Sequence, residues 1–366
     1  MPVRIDRKII VAHVVEACYG GVATFIEMLI REQLNDREIG EVHVIADPST
    51  TQKSVLELTA AFHFYYGSRK LSHAIRIAAD VKRKLEQIRP SVVILHSTYP
   101  GVWGRTFRSR SWRTIYCAHG WAFNQSISRV KRVIYGLIEA GLSYRCDAIV
   151  SISHYDYVSA CERGIRGKAH YVILHGIPDL QISRKNYSLS VSPDSKIHLA
   201  FVGRFEHQKG ADILSDIFQD PQLSSINVSL IGGQVGSGIP IEITPRDNFH
   251  FLGWLPRDQI ESIFDNVDAL IMPSRSEGLG LVAIEAMRSG RAVLASRVGG
   301  LEEVVTEGVT GYFIDINDIT ACRNVLKSLT KEELLRMGAN ARIEYELRFQ
   351  WSHCYKSWRL LINSLI

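Results

Sequence analysis

The chain has 366 residues, of which 46% are hydrophobic and 22% charged, a length comfortable for two domains and a composition that excludes a disordered chain. No apolar run reaches the roughly 18 to 20 residues that cross a bilayer, and six scattered cysteines (Cys18, Cys117, Cys146, Cys161, Cys322, Cys354) without a CxxC pair argue against a zinc site or disulfide framework and fit a reducing cytoplasm. The net charge of +5 is uneven: residues 1–180 hold 24 Lys/Arg against 16 Asp/Glu, and residues 69–132 hold 14 against 2, a one-sided field that suits an anionic partner such as lipid headgroups, nucleic acid or a phosphorylated substrate.

The opening "MPVRIDRKIIVAHVVEACYGG" superficially resembles a signal peptide. Its apolar run is short, His13 and Glu16 interrupt it, and no small-residue cleavage site follows, so it reads as a first strand. Strands are then expected at 8–15, 41–46, 91–96, 113–119, 148–153 and 171–175, each a near-continuous apolar run of the kind buried on both faces. Between them, Val22, Phe25, Ile26, Leu29 and Ile30 recur at helical spacing, and 70–88 and 128–141 also read as helices. Residues 179–196 are polar and aperiodic, a linker pattern. The alternation then restarts, with strands at 197–203, 227–233, 269–274 and 291–296 and helices near 210–219, 257–265, 281–289, 300–306 and 318–346. The expectation is α/β: two doubly wound, Rossmann-like domains, 1–180 and 181–346, with ligands in a cleft at the carboxyl ends of their sheets. A terminal amphipathic helix, 347–366, is expected to pack back on the first domain.

Such a pair of domains suits dehydrogenases, sugar-nucleotide enzymes and two-domain binders. The first strand is followed by "EACYGGVATF" rather than G-x-G-x-x-G, and no GK[ST] phosphate loop occurs, which weakens the dinucleotide and P-loop readings. The stretch "SEGLGLVAIEAMRSGRAV" (276–293) carries more chemistry. A helix begins near Leu281, and its free N–H groups and positive dipole end suit a diphosphate. Glu285, a turn inside, suits a pair of ribose hydroxyls, and Glu277, on the loop, the hydroxyls of a sugar beyond the diphosphate. A helix-dipole partner and a solvated charge explain the same two carboxylates. In "FVGRFEHQKGAD" (201–212), Arg204 and Lys209 bracket a loop at a strand's carboxyl end, where two cations neutralise a diphosphate and stabilise it as a leaving group.

"GRFEHQKG", followed by "PSRSEGLGLVAIEAMRSGRAVLASRVGGLEEVV", resembles the donor half of glycosyltransferase family 4, with a GT-B fold. The likeness spans nearly the whole chain and is strongest from 197 to 315. It implies a retaining transferase that uses a nucleotide-activated sugar and needs no cofactor and no metal. By motif match, Arg204 and Lys209 hold the diphosphate, Glu285 the ribose and Glu277 the donor sugar, while Gly278, Leu279, Gly280 and Leu281 offer backbone. "YGGVATF" resembles the family's first glycine loop, so Gly20 and Gly21 close on donor phosphate and acceptor. "YCAHGW" resembles its strand-end histidine segment, so His119 stands near the reacting sugar, with His96 placed similarly. Two departures stand out: His175 occupies the usual asparagine position of the interdomain turn, and "GGQVGSG" (232–238) is longer than usual, which bears on base recognition.

Residues 99–113 interleave Trp103, Phe107 and Trp112 with Arg105, Arg108, Arg110 and Arg113, and Arg129, Lys131 and Arg132 open the next helix. A solvated basic face explains this pattern, and so does a membrane interface. The expected partners are a nucleotide-sugar donor (UDP-sugar favoured), a polyprenyl-diphosphate-linked sugar acceptor of a bacterial surface polysaccharide, and an anionic membrane met through 69–132. Nucleic acid is not expected. The expected location is cytoplasmic, peripheral on the inner membrane face. Another GT-B sugar-nucleotide enzyme of epimerase type, or a non-catalytic sugar-nucleotide binder, are the alternative functions.

Overall fold

A computed structural model describes residues 8–16, 20–66, 71–107, 109–125, 127–180, 196–234 and 241–366. The chain divides into two compact units: Met1–His175 with Cys354–Ile366, and Gly176–His353.

In the first unit, strands β1 (Ile9–Val14), β2 (Ile39–Ala46), β3 (Ala61–Phe64), β4 (Val92–His96), β5 (Arg113–Cys117), β6 (Ala148–Ser151) and β7 (His170–Val172) form one parallel sheet. Their order is β3-β2-β1-β4-β5-β6-β7, so the winding reverses between β1 and β4, the place where such sheets bind ligands. Helices α1 (Gly20–Asn35), α2 (Lys53–Leu56), α3 (Leu71–Ile88), α4 (Thr98–Thr106), α5 (Arg129–Ser143) and α6 (His154–Glu162) connect the strands. The apolar runs are buried as their composition requires: Val92, Val93, Ile94 and Leu95 of β4 are enclosed. On α1 the helical repeat Phe25, Ile26, Leu29 and Ile30 faces the core.

The second unit repeats the plan. Strands β8 (Ile197–Val202), β9 (Ile226–Ile231), β10 (Phe249–Gly253), β11 (Ala269–Met272), β12 (Ala292–Ser296) and β13 (Gly311–Ile314) pair in parallel in the order β10-β9-β8-β11-β12-β13. Helices α7 (Ala211–Ile217), α8 (Arg257–Phe264), α9 (Leu281–Arg288), α10 (Leu301–Val304), α11 (Ile319–Ser328) and α12 (Lys331–Glu344) join them, and the winding reverses between β8 and β11. A last helix, α13 (Trp351–Leu365), supplies Cys354–Ile366 to the first unit. There Asp36 accepts from Tyr355 Oη at 2.7 Å and Arg359 Nε at 2.6 Å, and Trp358 is fully buried.

Three readings need correction. The helix expected at 318–346 is two helices, because the chain turns extended at Leu329 and Thr330, and the Thr330 hydroxyl caps the second by accepting from Glu333 N–H. Residues 99–106 form α4 rather than an exposed basic stretch. Its Pro100 lies in the first turn, where no N–H is needed. Its glycines permit close packing, since a Cβ at Gly101 would lie 2.2 Å from the Tyr116 ring and one at Gly104 2.4 Å from Leu95. The third follows from this packing: Trp103, Trp112 and Arg105 are buried, with Arg105 bonded to Glu139 at 2.6 Å, so these side chains present nothing to a membrane. Residues 181–195 of the linker segment, 235–238 of the glycine-rich turn and Arg108 of the basic stretch lie outside the described residues.

Candidate functional site

In the second unit, β8 and β11 are neighbours at the winding reversal, so the loops that follow them meet. The loop after β8 carries Arg204 and a short helical turn at His207–Lys209, and the loop after β11 carries Glu277. Several contacts weld the two. The Arg275 guanidinium bonds both oxygens of Asp212, at 2.8 and 2.7 Å, and the His207 carbonyl at 2.8 Å. Gln208 Nε2 donates to the Ser276 carbonyl at 3.2 Å. Gly210, in the left-handed region at φ +70°, ends the first loop, and a Cβ there would sit 1.8 Å from the Pro273 carbonyl oxygen.

Within this frame Lys209 and Glu277 meet. Glu277 Oε1 accepts from Lys209 Nζ at 2.6 Å and from Ser274 Oγ at 2.9 Å, with the carboxylate side chain only 7% exposed. Behind the loop, Gly299 and Gly300 press against it: Cβ atoms there would lie 2.0 Å from the Glu277 carbonyl oxygen and 2.1 Å from that of Gly278. Gly278, Leu279 and Gly280 then lead into α9. Gly280 sits at φ +87°, and no side chain caps the helix, which leaves N–H groups at its start, from Leu281 onward, for a ligand. Glu285 lies one turn in. Burial raises its carboxyl pKa, opposed first by Arg257, whose guanidinium is 3.7 Å away, and then by Arg288. Arg204 is half-exposed and ion-paired to Glu206 at 2.8 Å. Glu277, Lys209 and the uncapped helix start thus share one strand-end platform, and Glu285 lies a turn into the helix beside Arg257. Sequence reasoning missed the parts that hold it together: Ser274, Arg275, Asp212 and the Gly299–Gly300 brace. The signal for the brace was present in "RVGGLEEVV", where two glycines precede a short helix.

In the first unit, Gly20 (φ +59°) and Gly21 open α1 just beyond β1 and are exposed, while residues 17–19 of that glycine loop lie outside the described residues. His119 follows β5 at φ +55° and precedes Gly120 at φ +98°. It belongs to a row of rings. His119 Nε2 lies 2.8 Å from His96 Nδ1, His96 Nε2 lies 2.9 Å from His13 Nδ1, and His13 Nε2 lies 2.7 Å from Gln33 Oε1. His175 stacks on Phe25 at 3.9 Å, and Phe25 meets the His119 ring edge-on at 5.3 Å. Burial pushes His13 down to about 4 and His119 down to about 3. His96 and His175 are held well below the ordinary histidine value, by burial first and neighbouring histidines second. Cys117, His119 and His175 place potential metal-ligating atoms within 4.8 Å of one another. His13 was noticed only as an interruption of the first apolar run, and Gln33, within the polar stretch "REQLND", carries no motif.

Two family models match this chain: Glycosyltransferase Family 4 over residues 19–179 and Glycosyl transferases group 1 over residues 185–344. A protein from the cps region of Klebsiella pneumoniae is 28% identical over 366 residues, covering 95% of this chain and 99% of its own. Other relatives match over less than half of their length, such as a D-inositol 3-phosphate glycosyltransferase of Mycolicibacterium smegmatis, 33% identical over 44% of this chain and 38% of that one. Among solved structures, Anabaena HepE in complex with UDP and glucose superposes with a TM-score of 0.78 at 16% identity, over 97% of this chain and 100% of that one. Two parallel Rossmann-like sheets, the strand-end platform around Glu277 and these matches lead to one conclusion: the chain is a glycosyltransferase of the GT-B fold and belongs to the group 1 and family 4 glycosyltransferases.

Proposed function

We propose that the protein is a retaining glycosyltransferase that moves a sugar from a UDP-sugar to a polyprenyl-diphosphate-linked acceptor during assembly of a bacterial surface polysaccharide. The Lys209–Glu277 contact at the uncapped start of α9 carries this reading, because it sets a hydroxyl acceptor and a phosphate-binding cation side by side. The diphosphate is held by Lys209, Arg204 and the α9 N–H groups, and Glu285 accepts from the ribose hydroxyls. Glu277 accepts from hydroxyls of the donor sugar. The acceptor hydroxyl oxygen bonds to the anomeric carbon on the face from which the diphosphate departs. The anomeric carbon–phosphate oxygen bond breaks, and the hydroxyl proton passes to the leaving phosphate oxygen. Lys209 and Arg204 stabilise the charge that develops there, so this reading requires no metal ion. The UDP choice is supported by the UDP bound in the HepE structure, and the polysaccharide by the cps-region relative.

The acceptor end rests on α5. Val130, Val133, Ile134, Leu137 and Ile138 form an exposed apolar stripe at helical spacing, beside exposed Arg129, Lys131 and Arg132. The helix's acidic residue, Glu139, is buried against Arg105. An apolar face edged by cations alone suits an anionic lipid surface. Among the described residues no helix is long and apolar enough to cross a membrane. The proposed location, peripheral on the cytoplasmic face, is supported by this face of α5. A panel of nucleotide sugars, scored by thermal shift and then by mass spectrometry of lipid-linked acceptors, tests the function. Mass gain of one sugar with acceptor-dependent nucleotide release is the expected result. Nucleotide release without acceptor, or an altered free sugar, would point to epimerase-type chemistry instead.

A further inference from the structure

The first sheet ends at β3, and the carboxyl end of this edge strand leaves aromatic rings in water. Phe64 is 40% exposed and Tyr66 65% exposed, whereas edge strands are usually guarded by charges. With the buried Tyr65, these rings form one wall of a cavity of about 520 Å³. Small-molecule sites fall in the range of about 300–1,000 Å³. The opposite wall is α3, where Arg76, Asp80 and Arg83 recur at i, i+4 and i+7 and so share one face.

The charges on that wall are unequally engaged. Asp80 accepts from Arg83 Nη2 at 2.5 Å and from Lys84 Nζ at 2.6 Å. Arg76 has no carboxylate within ion-pair distance among the described residues. Its Nη2 donates to the Tyr66 carbonyl at 3.3 Å, which ties the guanidinium to the aromatic wall and leaves most of its five N–H groups for a ligand. Tyr65 joins the cavity to the neighbouring strand: its hydroxyl donates at 2.9 Å to the carbonyl of Val15, directly after β1. β3 stands two strands from β1, so the cavity lies about 10 Å to the side of the β1 strand end.

We propose that this cavity holds an acidic sugar, a pyranose bearing one carboxylate, with Arg76 on the carboxylate, Asp80 on hydroxyls, and Phe64 and Tyr66 against the apolar face of the ring. Each part of the wall selects for that class. The guanidinium fork matches a carboxylate in a bidentate pair. Asp80 keeps lone pairs that accept from hydroxyls, and it sets a like charge against a diphosphate, which carries more than one. Exposed aromatic faces give the C–H face of a sugar ring an apolar surface to cover. Resting on the transferase reading, this makes the acceptor a glycan in which a sugar beside the one being extended carries the acid.

The test titrates the full chain, without nucleotide, with methyl β-D-glucuronide and methyl β-D-glucoside, read by saturation-transfer NMR. The glucuronide is expected to take up saturation from aromatic protons and to bind at least about tenfold tighter than the glucoside, the effect of one charge-assisted pair. Arg76→Gln is expected to erase this preference, and Tyr66→Ala to weaken both sugars. Both side chains are exposed, so an unchanged urea midpoint is expected and shows that each variant is folded. Equal binding of the two sugars, a glucuronide affinity unchanged in Arg76→Gln, or displacement of the glucuronide by equimolar inorganic phosphate would overturn the proposal. Binding is read without donor or turnover. It therefore stands if the transferase reading fails, and its failure leaves that reading intact.

Discussion

Glu277 shows how a single carboxylate is placed. It lies on a loop, yet its side chain is almost enclosed, because Lys209 and Ser274 bond it and Gly299 and Gly300 allow the backbone behind it to close. The two glutamates and the lysine were readable from sequence because their chemistry has a fixed spacing. The bracing contacts were not, because a residue such as Arg275 matters here through its partner Asp212, 63 positions earlier. Gly210 is a sharp case. At φ +70°, with the Pro273 oxygen in the way of any Cβ, Gly210→Ala is expected to destabilise the second unit by more than about 1 kcal/mol in urea titration, and to weaken nucleotide binding by shifting Lys209.

At the scale of elements, most strands were found from composition, the edge strand β7 within 171–175 included, whereas β3, β10 and β13 were not. β3 and β10 sit at sheet edges, with β10 exposing Phe251 and Leu252, so neither gives the continuous apolar run that marked β4 or β11. α4 was hidden for the opposite reason: Pro100, Gly101 and Gly104 read as a loop, while packing against Tyr116 and Leu95 selects small residues in a helix. α5 was found, but its significance was assigned to its cations, and the apolar stripe is visible only once the fold shows that no element among the described residues covers it. The double change Val133→Ser with Leu137→Ser is expected to lower partition onto phosphatidylglycerol vesicles about tenfold in flotation, with stability nearly unchanged because both positions are exposed. Equal flotation of the double variant, or no preference of the native chain for anionic over zwitterionic vesicles, would remove α5 as the docking face.

Across the whole molecule, the buried histidines set the acid limit of stability. His13, His96, His119 and His175 are neutral when folded, and their folded values lie below the ordinary 6.5. The unfolded chain therefore binds more protons as pH falls below about 6.5, and stability drops through the interval down to about 3, each group contributing a slope of up to about 1.4 kcal/mol per pH unit. Carboxylates held below their usual range, such as Asp36 bonded by Tyr355 and then Arg359, and Asp212 bonded by Arg275, add a loss only below about pH 4. A urea-midpoint series from pH 7.5 to 4.5 is expected to fall steeply from about 6.5 downward. Replacing His13 and His96 by asparagine should flatten that fall, and a flat profile in the native chain would contradict the burial of neutral rings.

In the proposed function Glu277 grips the sugar half of a nucleotide-sugar whose diphosphate rests on Lys209 and the start of α9. Glu277→Gln keeps the shape of the side chain and removes its charge. Turnover with the preferred donor and a lipid-linked acceptor should fall about 100-fold or more, while the dissociation constant for the free nucleoside diphosphate changes by no more than about threefold. Turnover that survives the substitution, or nucleotide binding that collapses with it, would contradict the account.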